Sequence, residues 1–168
     1  GTTEFGYETA AVTRDLGPGE SASENRHVAH AASDVVASLD TLQALCPNLE
    51  RVALVAAWFG DDLRAAHCRL MPGVELRGKT TRPQTWSVAG LGRADARLVS
   101  QADGRPALGG TPSDASVTHL IRELKARGLK VTLYPFVMMD VPPGNALPDP
   151  WTGGAGQPAY PWRGRITC

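Results

Sequence analysis

The sequence carries no surplus of charge. Seventeen lysines and arginines face seventeen aspartates and glutamates, so no net field draws in a polyanion, and neither nucleic acid nor an anionic membrane surface is expected as a partner. No apolar run approaches the roughly 20 residues that a bilayer span needs. "GTTEFGYETA" (Gly1–Ala10) lacks the basic start and apolar centre of a signal peptide. A soluble chain without a membrane span is expected. Cysteine is scarce: Cys46, Cys68 and Cys168 are far apart and odd in number. That argues against a disulfide framework or a paired-cysteine zinc site, and for free thiols made in a reducing compartment. No serine sits in a nucleophile elbow and no cysteine has a convincing histidine partner, so any hydrolytic chemistry must be carboxylate chemistry. Internal repeats and low-complexity tracts are absent.

What is abundant is glycine and proline, 31 of the 168 residues, against a typical combined share of about 12%. They gather at 104–112 and 142–164, the composition of a surface built from loops. Residues 1–32 show no sustained periodicity, and "LGPGESASEN" has linker composition, so this stretch reads as an extended lead-in. From Ser33, "SDVVASLDTLQAL" has helical spacing, with Ser33 or Asp34 as N-cap and Pro47 as the stop. "RVALVAAWF" (51–59) follows as a buried strand. "TPSD" (111–114) proposes a second helix start with Thr111 as N-cap and Pro112 at the first helical position, and Gly128 ends that helix. "LKVTLYPFVMM" (129–139) is a second buried strand, which Pro135 is expected to distort or end near Tyr134. Between Gly60 and Gly110, "TWSVAG" and "RPALGG" read as short strands and "RADARLVSQ" as a short helix. The alternation of helix and strand argues for an α/β fold with parallel strands and flanking helices.

In such a sheet ligands meet the carboxyl ends of the strands. The first strong strand closes on "WFGDD" and the second on Asp140. Asp61, Asp62 and Asp140 are therefore the catalytic candidates. Trp58, Trp86, Trp151, Tyr160 and Trp162, with Arg163, are candidates for ligand contact, since carboxylates beside indoles suit a pyranose: the acid takes hydroxyl hydrogen bonds or moves a proton, and the ring packs on the sugar's apolar side. The alternative is structural, with the aspartates capping turns and the tryptophans sealing loops. "GGT" before the second helix lacks a full phosphate-loop pattern and reads as a tight turn. His67 and Cys68 are neighbours, and adjacent residues seldom chelate one ion together, so no metal and no other cofactor is expected.

The phrases "WFGDDLR", "WSVAGLGRADARLVS", "DGRPALGGTPSDASV", "LKARGLKVTLYPFVMMDVPPGNALPDPW" and "QPAYPWRGRIT" resemble the TIM-barrel-like, glycoside-hydrolase-like domain of the large tail-tip protein of gene transfer agents, phage-like particles of alphaproteobacteria. The resemblance covers nearly the whole chain. It implies a (β/α)8 scaffold, of which residues 33–168 would be the first part and 141–168 a long βα loop, because a closed barrel needs about 250 residues. It also implies synthesis in the cytoplasm, a place in the tail tip of a particle, oligomeric assembly with other tail-tip and baseplate proteins, and contact with cell-envelope glycan. Three functions follow as expectations: a structural and recognition domain, an active glycoside hydrolase on peptidoglycan or surface polysaccharide, or a joint between tail domains that binds nothing.

Overall fold

The computed structural model describes residues 3–160. In chain order it holds β1 (Thr13–Gly17), β2 (Glu20–Ser23), α1 (Asp34–Leu45) and β3 (Arg51–Gly60). Eight two-residue strands follow: β4 (Leu70–Met71), β5 (Gly73–Val74), β6 (Thr81–Arg82), β7 (Ser87–Val88), β8 (Leu91–Gly92), β9 (Arg97–Leu98), β10 (Gln101–Ala102) and β11 (Arg105–Pro106). The chain then forms α2 (Asp114–Ala126) and β12 (Lys130–Met139).

This corrects the expected α/β fold of parallel strands with flanking helices, and with it the barrel. The strands are divided among five small sheets, in the orders β2-β1-β6, β10-β11, β12-β3-β4, β5-β9 and β7-β8, most of them antiparallel or mixed. A (β/α)8 scaffold repeats a strand and a crossover helix. Here no helix lies between Gly60 and Asp114, and the stretch expected as a short helix, 93–101, forms turns and β9 instead. The physical reason is local: prolines and glycines at positions 72, 73, 78, 83, 90, 92, 104 and 106 break the backbone before a strand can lengthen.

Two pairs of strands do run parallel, the two-residue β5 and β9 and the long β3 and β12, the latter in continuous register from Lys130↔Arg51 to Met139↔Gly60. α1 and α2 supply the hydrophobic cover of the long pair. Leu39, Leu54, Leu120, Leu124 and Leu129 form one core cluster. The start of α2 lies two residues later than "TPSD" suggests: Ser113 is the N-cap and accepts a hydrogen bond from the Ser116 N–H. Thr111 is buried elsewhere, its hydroxyl donating to the Ala57 carbonyl at 2.7 Å and accepting from the Gly73 N–H at 2.9 Å. At the other end Gly128 adopts φ +78°, and the Leu129 N–H returns to the Leu124 carbonyl at 2.9 Å. Glycine tolerates that left-handed step, and the two leucines meet behind it.

Pro135 does not end β12, and the hydrogen bonds show why. The N–H groups of Lys130 and Asp140 both donate toward β3, to Glu50 at 2.8 Å and Gly60 at 2.9 Å. Even-numbered residues therefore point their donors inward, and the missing donor of Pro135 belongs on the outer side, where among the described residues β12 has no neighbour. By the same parity the odd carbonyls of β3 face its other edge. Tyr7 hydroxyl donates to Val55 O at 2.9 Å and Thr111 to Ala57 O, which closes that edge.

The described part of 1–32 packs against the rest of the chain. β1 and β2 form a hairpin. Phe5 and Val12 are buried with Val74, Trp86, Val88 and Ala96 in a second core cluster. Buried Asn25 holds the segment, donating to the carbonyls of Glu8 and Ala10 and accepting from the Val12 N–H. Gly73 sits where this cluster meets β3. A Cβ there would come within 2.5 Å of the Phe59 ring, so only glycine lets the two backbones approach. Among the described residues no helix is long and apolar enough to cross a membrane.

Candidate functional site

Because β3 and β12 run parallel, their carboxyl ends lie side by side, and Asp61, Asp62 and Asp140 follow directly from them. Each acid is committed to donors. Asp140 is fully buried. Its carboxylate accepts from Arg97 Nε at 2.9 Å and from the Ser100 N–H at 3.1 Å, while Arg97 Nη2 donates to its main-chain oxygen at 2.6 Å. Asp62 is buried too. Arg64 grips it with Nε at 3.0 Å and Nη2 at 2.6 Å, the Arg64 N–H donates at 2.9 Å, and Gln157 Nε2 donates at 2.8 Å. The Arg64 hydrogen bonds outweigh the effect of burial and hold the Asp62 carboxyl far below the usual carboxylate range. Asp61 accepts from the N–H and Nε of Arg69 at 2.8 and 3.1 Å.

These bonds have a mechanical role. Gln157 also accepts from the Leu63 N–H and donates to the Pro148 carbonyl. Asn145 donates to the carbonyls of Gln157 and Pro142. The loop after β12 is in this way stitched to the end of β3, with Asp62 at the seam. Asp140 does the same for the segment around Arg97 and Ser100.

The aromatic candidates separate. Trp58 is half-buried against the second core cluster. Trp86 is buried, its indole Nε1 donating to Thr111 O at 2.8 Å, with the Arg93 guanidinium 5.9 Å above its ring. Trp151 stands in the loop after β12, 46% exposed, its N–H held by Asp149 at 2.8 Å. Tyr160 is half-exposed and donates its N–H to Val141 O. Trp162 and Arg163 lie outside the described residues. No group of three or more His, Cys, Asp and Glu among the described residues is placed to hold a metal ion.

A second charged constellation escaped the sequence reading. Lys79, with its side chain only 3% exposed, meets Glu4 at 3.0 Å, Glu24 at 2.8 Å and Glu75 at 3.3 Å. Arg93 meets Glu4 at 2.8 Å, and Arg14 meets Glu24 at 3.6 Å. Burial would raise the Glu4 carboxyl, but Arg93 and Lys79 together bring it below its ordinary value. His119 pairs with buried Glu8 at 2.8 Å. The signal in the sequence is "EFGYE", in which two acids flank two aromatics that have reason to be buried.

No family model matches the chain, and no curated protein is similar to it.

Proposed function

We propose that this chain is a structural and recognition domain of a phage-like tail tip, one that holds envelope glycan of a recipient cell without cleaving it. The state of the rim acids carries this reading. A general acid must hold a proton near the working pH, and a glycosidase nucleophile must be free to meet the sugar. Asp62 is gripped by a bidentate guanidinium that keeps it ionised, and Asp140 is enclosed with Arg97 and Ser100. Both spend their lone pairs on the fold. The tail-tip setting is supported by the resemblance of the phrases quoted above. It implies assembly into a particle in several copies, beside other tail-tip and baseplate proteins.

Purified envelope glycan tests the reading directly. The intact protein is expected to bind it and to release no reducing ends. Release that disappears in Asp62→Asn, with circular dichroism unchanged, would make the chain a working glycoside hydrolase and end this reading. Failure to bind any envelope glycan would end it as well.

A further inference from the structure

Beside the second core cluster a cavity of about 550 Å³ opens between the turn of β7 and β8 and the segment before β6, a size in the range of ligand sites. Three charged residues line it, Arg77, Lys79 and Arg93, and all three are cationic. The carboxylates that balance the buried charges do not line it. Glu4, Glu24 and Glu75 match Arg14, Lys79 and Arg93 one for one, which leaves Arg77 as the surplus charge. Arg77 is exposed, and its side chain makes no hydrogen bond or ion pair with any described residue.

Arg93 stands behind the cavity wall: its side chain is 10% exposed, Nη1 donates to Glu4 and to Leu76 O, and Nη2 has no surface open to an occupant, so Arg93 lends charge to the cavity without a direct bond. Lys79 donates to Glu24 and Glu75, pairs in charge with Glu4, and has a side chain only 3% exposed, so it too contributes charge to the cavity rather than a direct bond. Thr85 and Ser87 bring hydroxyls that no other described residue engages.

We infer that this cavity binds a sugar unit bearing an oxyanion, a carboxylate or a phosphate, with Arg77 donating to the anion and Thr85 and Ser87 meeting ring hydroxyls. The free guanidinium of Arg77 matches the planar, two-oxygen geometry of such an anion. This rests on the glycan-recognition reading above and narrows it to acidic glycans. It also reconciles a neutral chain with an anionic ligand, since the acids lie behind the cations rather than between them and the cavity.

Calorimetry with the intact protein tests it, using hexagalacturonate, glucose 6-phosphate and neutral maltohexaose as probes. Binding of at least one anionic probe is expected, weakened by added salt, and about tenfold weaker in Arg77→Gln, a loss typical of one charged hydrogen bond. Arg77 is exposed and unpartnered, so that variant keeps the fold. Preference between the two anionic probes identifies the anion. If neither binds, or if Arg77→Gln binds both as tightly as wild type, the inference is overturned. Binding of maltohexaose or of envelope glycan that is indifferent to Arg77→Gln would overturn it while leaving glycan recognition standing.

Discussion

Asp140→Asn separates a fold-holding carboxylate from a catalytic one. In the native structure the buried carboxylate accepts from Arg97 Nε and from the Ser100 N–H. Asparagine keeps one oxygen, enough for Ser100, but turns an NH2 toward a guanidinium that can only donate. Breaking one side of a buried ion pair costs about 3–5 kcal/mol. Arg97 is 23% exposed and keeps its bond to the Asp140 carbonyl, so water and that bond offset part of the loss, and about 2–3 kcal/mol is expected. With a urea slope of about 2 kcal/mol per molar for a domain of this size, the unfolding midpoint should fall by roughly 1–1.5 M. The double variant Asp140→Asn with Arg97→Met should recover part of that, because no guanidinium is then stranded. A midpoint equal to that of wild type in Asp140→Asn would refute the reasoning, and a stable variant that had lost glycan cleavage would point to catalysis.

Lys79→Met should be more damaging, by about 3–5 kcal/mol in urea unfolding, since it leaves Glu4, Glu24 and Glu75 facing one another in a closed space; an unchanged midpoint would mean the cluster is wetter than its burial implies. Asp62 predicts the acid limb of stability. Its folded carboxyl lies below the unfolded value of 3.8, so its contribution is present in full above that value and is lost as pH falls through the folded one. Asp62→Asn should therefore lower stability at neutral pH and flatten the decline below about pH 4. An acid limb identical to that of wild type would show that Arg64 does not hold the carboxylate.

The two long strands and the two helices were legible because their apolar periodicity runs for ten residues or more, long enough for burial to decide the conformation. The parallel pairing could be anticipated from the helix that precedes each strand. The middle of the chain was not legible, since strands of two residues carry no period, and their pairing is decided by where turns at positions such as Ala89 and Gly90 redirect the chain. Residues 1–32 looked like a connector because their core contacts are few and scattered: Phe5, Tyr7, Val12 and Asn25 each meet residues distant in sequence or fasten the segment to itself. At the rim the aspartates could be placed, but not their partners. Arg97 and Gln157 lie 43 and 95 residues from the acids they hold, and no spacing rule spans such gaps.

Pro135 has a consequence for how the protein behaves in a crowd. A strand with one open side is a template on which copies can stack without limit, and β-rich chains that expose one tend toward fibrils. Here the donor row is interrupted at its midpoint and a pyrrolidine ring stands in the gap, so an intruding strand finds no unbroken run to copy. The residue that made this segment look unfit for a sheet is the one that keeps it from recruiting more of its own kind.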